Sequence, residues 1–146
     1  MPPYDTGQKR ILVVDDDRAI LELVSTRLTL AGFDAFTARD GHDALAKLSS
    51  LRPVAMVLDL NMPGLDGFGV LQRMGKSGLA RTPTLVLTAS HAAADVQRAV
   101  QLGARDYLAK PFKDNHLLMR VSRLVRPPAQ KLDMAETLDS IDQMIG

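Results

Sequence analysis

Short apolar runs alternate with longer segments of helical periodicity, and this alternation limits the possible folds more than any other feature of the chain. The runs predict five β-strands, at residues 10–14, 34–38, 54–58, 84–88 and 106–109. The first, third and fourth runs are nearly all apolar, which is typical of central parallel strands covered on both faces. The second and fifth are more polar and are predicted to lie at the edges of the sheet.

The segments between the runs have the apolar spacing of amphipathic helices. In the first of them Ile20, Val24 and Leu28 recur at helical intervals, and the segment stops at Gly32. Similar helices are predicted after each of the other strands, and the fifth ends before Pro127. The pattern is therefore (βα)5, which predicts an α/β, doubly wound sandwich with a parallel sheet and helices on both faces.

Length and composition favour one intracellular domain. A chain of 146 residues with a net charge of +1 lacks the strongly basic character of a general nucleic-acid-binding protein, and it has no cysteine for disulfides or thiolate metal sites. The N-terminus has no signal-peptide core, and the apolar runs are too short to cross a membrane. We expect a cytoplasmic protein that binds neither membranes nor, through this segment, nucleic acid.

The predicted domain covers residues 9–126, after an N-terminal extension at 1–8. Residues 127–146 form a linker and a possible helical tail, because Met134, Leu138, Ile141 and Ile145 are spaced by four, three and four residues. This spacing is typical of a coiled-coil or signalling helix. It fits equally a frayed end or a helix packed on its own domain, because two heptads are too few to stand alone.

Chemically active residues follow the predicted strands. Asp15, Asp16 and Asp17 come after the first, Asp59 after the third, and Thr88 ends the fourth. Lys110 comes directly after the fifth strand. Ligand sites of open α/β sheets lie beyond the carboxyl ends of the strands, so these groups are predicted to converge. Clustered carboxylates take up a proton or share a cation, and with oxygen ligands alone the natural cation is Mg²⁺. A carboxylate beside Mg²⁺ and Lys110 could attack a phosphoryl group.

Four motifs, in order, resemble the receiver domain of two-component response regulators, a family that includes the chemotaxis response regulators. They are Val13-Val14-Asp15-Asp16, the segment 59–67 (DLNMPGLDG), Leu87-Thr88-Ala89, and the segment 103–112 (GARDYLAKPF). The resemblance covers residues 9–126. It implies a flavodoxin-like sheet in the order 2-1-3-4-5.

The resemblance also implies a role for each acidic residue. Asp59 would be the phosphorylated residue, accepting its phosphoryl group from a sensor histidine kinase or a phosphotransfer protein. Asp16 would bind Mg²⁺ directly and Asp15 mainly through water. Asn61 would bind the ion through its backbone carbonyl.

Further residues match the parts of the family's site that respond to phosphorylation. Thr88 and Lys110 would contact the phosphoryl oxygens, and Tyr107 would be the switch aromatic that turns inward when Thr88 moves. The Lys110–Pro111 bond would be cis. Signalling would then change contacts of the fourth helix, fifth strand and fifth helix, the surface through which the family often dimerises. The C-terminal helix is a second candidate for dimerisation.

Other residues have simpler interpretations. Asp17 and Asp66 precede predicted helices and are expected to cap them. The three histidines share no spacing with the acidic residues, so we expect His42, His91 and His116 to be solvated surface residues.

The sequence leaves three other functions open. A receiver that passes its phosphoryl group to another histidine would use the same residues. A Mg²⁺-dependent aspartyl-phosphate hydrolase would be expected to carry its nucleophile after the first strand. A flavodoxin-like electron carrier would need a hydroxyl- and glycine-rich first loop, whereas this one is acidic. The favoured interpretation is a signalling domain and not an enzyme acting on other substrates.

Overall fold

The protein forms one five-stranded parallel sheet, seen in a computed structural model that describes residues 9–89 and 92–125. The strand order is β2-β1-β3-β4-β5, as expected. The strands are β1 Arg10–Val14, β2 Asp34–Ala38, β3 Ala55–Asp59, β4 Thr84–Thr88 and β5 Asp106–Ala109. The two more polar strands, β2 and β5, lie at the edges.

One strand differs slightly from the sequence prediction. β3 covers 55–59, one residue later than the predicted 54–58, so Asp59 is the last residue of the strand. The reason is that ladder pairing continues to this position, where Asp59 lies opposite Leu87 of β4. The next amide, that of Leu60, still donates to the Leu87 carbonyl at 3.1 Å.

Five α-helices cover the two faces of the sheet. They are α1 Arg18–Leu30, α2 Gly41–Leu51, α3 Gly67–Ser77, α4 Ala93–Gln101 and α5 Asp114–Leu124. Helices α2, α3 and α4 pack on the face that carries Leu12 and Met56, and α1 and α5 pack on the face that carries Val13 and Val57. The predicted extension at 1–8 and the predicted tail at 127–146 lie outside the described residues, and the domain limits stay a prediction.

Aspartates begin three of these helices. The Ala19 amide donates to Asp17 Oδ1 at 2.9 Å, and the Gly69 amide donates to Asp66 Oδ1 at 2.8 Å, which confirms both predicted caps. Asp40 caps α2 in the same way. A side chain that accepts a hydrogen bond from the open first turn typically stabilises a helix by about 1 kcal/mol.

Arg52 ends α2 in the left-handed backbone region, with φ 46° and ψ 61°. Its amide donates to the Leu48 carbonyl at 3.2 Å. Glycine is the usual residue in this conformation, and another L-residue is strained there by about 1 kcal/mol.

Gly67 allows α3 to begin directly against the end of β3. A Cβ atom at this position would lie 2.5 Å from the Asp59 carbonyl oxygen and 2.7 Å from the Leu60 Cα. Both neighbours are backbone atoms and cannot rotate away. The absence of a side chain at Gly67 therefore sets how closely the helix approaches the strand end that carries Asp59.

Two glycine-to-alanine changes in α3 test this contact. We expect Gly67→Ala to lower the free energy of unfolding by about 1–3 kcal/mol, because the added methyl group overlaps fixed backbone. Gly75→Ala is the matched control: a Cβ added there would have nothing within 4 Å, so this change should stabilise the helix by about 0.5–1 kcal/mol. Urea unfolding measures both, and equal effects of the two changes would contradict the close approach at Gly67.

Candidate functional site

Three carboxylates converge at the carboxyl edge of the sheet. Asp15 follows β1 and Asp59 ends β3, and these strands are neighbours, paired at Val14 and Leu58. Ligand oxygens of Asp15, Asp16 and Asp59 all lie within 4.8 Å of one another. Asp15 and Asp59 are buried, whereas Asp16 is exposed. The cluster therefore opens to solvent on the side of Asp16.

Lys110 supplies positive charge to this cluster from the end of β5. Its Nζ lies 2.8 Å from Asp15 Oδ2 and 3.5 Å from Asp59 Oδ1. The Lys110 amide donates to the Thr88 carbonyl at 2.9 Å, which anchors the lysine backbone beside the end of β4. The Lys110–Pro111 peptide bond is cis, as the resemblance implied.

Backbone amides hold the two buried carboxylates in place. The Asp17 amide donates to Asp15 Oδ1 at 2.9 Å, and the Asn61 amide donates to Asp59 Oδ1 at 3.2 Å. The contacts of Asp59 with Lys110 and with Asn61 thus both fall on Oδ1. Asp17 serves the site through its backbone while its side chain caps α1, so the third acid of the run has a separate task.

The pKa of Asp59 is raised from 3.8 to about 6, and burial is the largest cause. The negative charges of Asp15 and Asp16 add to the increase, and Lys110 and the Asn61 amide reduce it without cancelling it. Burial alone would lower the pKa of Lys110, but its hydrogen bond to Asp15 and the charge of Asp59 raise it above the ordinary value. One lysine is therefore too little positive charge for three neighbouring carboxylates.

The donor set fits a cation. Carboxylate oxygens are the ligands that hard ions such as Mg²⁺ and Ca²⁺ prefer, and the exposed Asp16 leaves a path for entry. Asp15, Asp16 and Asp59 could hold a metal ion. Asn61, whose backbone carbonyl was predicted as a further ligand, lies two residues after Asp59 in the same loop.

The two predicted switch residues differ from each other in burial. Thr88 is buried at the end of β4, in the strand next to that of Asp59. Tyr107 is 45% exposed on β5 and lies away from the core. Of the predicted surface histidines, His42 and His116 are exposed, and His91 lies outside the described residues.

Two glycines shape the site although the sequence reasoning assigned them no role. Gly67 is one of them. At Gly41 an added Cβ would lie 2.5 Å from the Leu65 carbonyl oxygen, so the start of α2 packs against the loop that follows Asp59. The available signal was the repeated Asp-Gly pair at 40–41 and 66–67, in which a capping residue is followed by a residue without a side chain.

A parallel α/β sandwich with a buried aspartate after β1, a buried aspartate and a buried threonine as the last residues of β3 and β4, and a lysine after β5 is the arrangement of two-component receiver domains. The family model described as the response regulator receiver domain matches residues 11–122, and the chain belongs to that family. The chain is accordingly a receiver domain of two-component signalling.

Curated relatives agree with this assignment. Response regulator MprA of Mycobacterium ulcerans is 42% identical over 132 residues, which cover 90% of this chain and 56% of the relative. DNA-binding response regulator MtrA of Mycobacterium tuberculosis is 39% identical over 137 residues, covering 90% and 59%. The probable transcriptional regulator ycf27 of Cyanophora paradoxa is 40% identical over 122 residues, covering 84% and 50%. The chain spans about half the length of these relatives.

Solved structures show the same fold. The chemotaxis protein CheY4 of Vibrio cholerae, crystallised at low pH, superposes with a TM-score of 0.74 at 35% identity, over 79% of this chain and 97% of that one. A response regulator receiver domain from Bermanella marisrubri has a TM-score of 0.75 at 41% identity, over 81% and 98%. Within residues 9–89 and 92–125, no helix is long and apolar enough to cross a membrane.

The raised pKa of Asp59 predicts how stability depends on pH in metal-free buffer. A carboxyl group whose pKa is higher in the folded state stabilises the fold when protonated, and this contribution is lost as the pH rises from about 4 through about 6. A change of about two in pKa corresponds to at most about 3 kcal/mol. We expect the wild-type protein to lose up to this amount relative to Asp59→Asn between pH 4 and pH 7.5.

Urea unfolding in the presence of EDTA measures this difference at each pH. Comparison with Asp59→Asn removes the contributions of titrating groups that do not interact with Asp59, so the difference reports Asp59 together with its neighbours Asp15, Asp16 and Lys110. A difference between wild type and variant that does not change with pH would show that the carboxyl of Asp59 is not held in an unfavourable charged state.

Proposed function

We propose that this domain is a phosphorylation switch in which Asp59 accepts a phosphoryl group from a phosphohistidine of a partner protein. The observation that carries the proposal is the placement of Asp59: a buried carboxylate at a strand end, 3.5 Å from the Lys110 ammonium and in one cluster with Asp15 and Asp16. Both carboxylate oxygens of Asp15 are engaged, Oδ1 by the Asp17 amide and Oδ2 by Lys110, whereas the contacts of Asp59 with Lys110 and the Asn61 amide both fall on Oδ1.

Mg²⁺ is the cation we propose for the cluster. Asp16 would bind it directly, Asp15 mainly through water, and Asp59 and the Asn61 carbonyl would complete the protein ligands. Mg²⁺ is bound in proteins by one or two carboxylates together with waters and phosphate oxygens. The carboxylates of Asp15, Asp16 and Asp59 suit this mode of coordination. When bound, the ion offsets the repulsion among the carboxylates and the charge on phosphoryl oxygens.

The reaction itself belongs to Asp59. A carboxylate oxygen attacks phosphorus, the bond between phosphorus and the partner's imidazole nitrogen breaks, and that nitrogen keeps the bonding electrons and takes a proton. Lys110 stays protonated because its pKa is raised, and its ammonium lies 3.5 Å from the carboxylate that attacks phosphorus. Attack of water on phosphorus later releases phosphate and restores the Asp59 carboxylate.

Thr88 and Tyr107 would convert this event into a change of surface. Thr88 is buried beside the strand of Asp59, and we expect its hydroxyl to move toward a phosphoryl group on Asp59. Tyr107 lies on the neighbouring strand β5, two residues before Ala109, which pairs with Thr88. The exposed ring of Tyr107 corresponds to the unphosphorylated state and would turn inward into the space that Thr88 leaves.

The surface that reports the switch is the α4–β5–α5 face. Val100, Tyr107 and Met119, one from each element, are 52%, 45% and 45% exposed. Contiguous exposed apolar side chains mark interaction sites, and these three residues come from consecutive elements of the chain. We propose that phosphorylation strengthens a homodimer through this face. Because relatives twice as long are named as DNA-binding or transcriptional regulators, we further propose that the dimer controls a DNA-binding output, while this segment does not itself bind nucleic acid.

Phosphorylation can be tested with a small donor. Incubation of the protein with acetyl phosphate and Mg²⁺ should add one phosphoryl group, detected as an increase of about 80 Da by intact-protein mass spectrometry, because one carboxylate is activated. Asp59→Asn should remain unlabelled. Asp17→Asn is the matched control, since asparagine also caps helices and the Asp17 amide that binds Asp15 is unchanged.

Equal labelling of wild type and Asp59→Asn would assign the nucleophile to another residue. Loss of labelling in Asp17→Asn as well would mean that any change in the acidic run disturbs the site, and the assignment to Asp59 would no longer stand.

The switch can be followed through tyrosine fluorescence, because the chain has no tryptophan and only two tyrosines, Tyr4 and Tyr107. In a Tyr4→Phe background, phosphorylation should reduce the quenching of Tyr107 by acrylamide by about half, since an inward ring leaves solvent. Thr88→Ala should abolish this change, and the exposed-site control Thr29→Ala should keep it. An unchanged response in Thr88→Ala would remove Thr88 from the switch.

A further inference from the structure

A second concave site lies at the opposite end of the sheet from the acidic cluster. It is a pocket of about 320 Å³ between the end of α2 and the short turn of 3₁₀ helix at Leu79–Arg81, beside the amino ends of β3 and β4. Because parallel strands have all their carboxyl ends at one edge, this pocket and Asp59 are separated by the length of the strands. Its lining includes Ser49, Arg52, Arg81 and Thr82.

Two guanidinium groups border the pocket from different elements. Arg52 comes from the end of α2 and Arg81 from the 3₁₀ turn, and both residues are exposed. In residues 9–89 and 92–125, the ion pairs of the structure involve other cations, and neither arginine has an acidic partner. The pocket therefore carries two positive charges that the described part of the domain does not neutralise.

The negative end of the α2 dipole is partly offset beside the pocket. The last carbonyls of a helix would repel an anion, but two of them already accept hydrogen bonds. The Leu48 carbonyl accepts from the Arg52 amide at 3.2 Å, and the Leu51 carbonyl accepts from Arg10 Nη1 at 3.0 Å. Arg10 also brings a third guanidinium to this end of the helix.

The backbone conformation of Arg52 also supports a role for its side chain at the pocket. Its φ of 46° is a conformation in which glycine is less strained, yet this chain has an arginine there. Strained residues outside tight turns tend to occur where a side chain serves a site. The backbone strain at Arg52 fits a guanidinium that contacts a ligand in the pocket.

We propose that the pocket binds a small organic phosphate. Guanidinium groups match phosphate oxygens in geometry and charge, and two of them suit a dianion. Ser49 and Thr82 can donate hydroxyl hydrogen bonds, and the apolar lining from Leu48 and Leu79 suits the organic remainder. The volume lies at the small end of the range for ligand pockets. Binding here is non-covalent and does not depend on the chemistry proposed for Asp59.

Phenyl phosphate is a suitable probe, because it combines a phosphate dianion with a small apolar group. It would be titrated into ¹⁵N-labelled protein at constant ionic strength without Mg²⁺, with Asp59→Asn as the background so that no covalent labelling interferes. We expect saturable amide shifts at Ser49, Arg52, Leu79 and Thr82. Sodium chloride added to the same ionic strength should not reproduce them.

Arg52→Gly is the most informative variant, since it removes the guanidinium and also relieves the backbone strain. It should weaken phenyl phosphate binding by about tenfold, as expected for loss of one charge-assisted contact, while raising Tm. Arg81→Gln should weaken binding by a similar factor. Arg123→Gln, an arginine on α5 across the sheet, is the matched control and should leave the affinity within about twofold.

Two results would overturn the proposal. One is the absence of saturable shifts around the pocket. The other is equal affinity in Arg52→Gly and Arg123→Gln, which would show that the phosphate senses only the overall charge of the domain. Because Arg52→Gly is expected to be more stable than the parent, loss of binding in that variant cannot be attributed to unfolding.

Discussion

The contact between Lys110 and the buried carboxylates of Asp15 and Asp59 is the interaction on which the site depends. Two carboxylates that are almost excluded from water would be costly without a nearby cation. Lys110 comes from β5, and Asp15 follows β1, with β3 and β4 between them in the sheet. The lysine reaches across two strands, so this ion pair requires the order β1-β3-β4-β5. Fold and electrostatics are therefore linked through one side chain.

That ion pair leaves the acidic cluster with an excess of negative charge, and this excess favours binding of a cation. If Lys110 balanced the neighbouring carboxylates fully, burial alone would raise the pKa of Asp59, and the site would have less affinity for a further cation. Instead, burial and neighbouring negative charge keep Asp59 in an unfavourable charged state. A bound cation would relieve this repulsion among the carboxylates. Repulsion among carboxylates that folding brings together thus contributes to the free energy of cation binding at the acidic cluster.

Helices α2 and α3 shape the site because they begin close to the residues around Asp59. Asp40-Gly41 and Asp66-Gly67 each place a capping carboxylate next to a residue that has no Cβ, so α2 and α3 start in contact with the loop and strand end around Asp59. Arg98 of α4 lies 4.3 Å from the ring centre of Phe68, the residue after Gly67, and joins α4 to the same region. The start of α3 consequently connects the loop after Asp59 to the face that carries α4. Basic residues gather at the opposite edge, around Arg52 and Arg81.

The sequence alone determined the five strands, the edge positions of β2 and β5, the caps at Asp17 and Asp66, and the groups that meet after the strands. These features depend on local periodicity and on a rule of parallel sheets, both of which can be read along the chain. The tertiary structure decided the rest. It extended β3 to Asp59 through pairing with β4, placed Tyr107 outward, and brought Lys110 closer to Asp15 than to Asp59. It also assembled the pocket at Arg52 and Arg81. Distances between side chains from separate strands, and the close approaches at Gly41 and Gly67, depend on packing that no local pattern encodes.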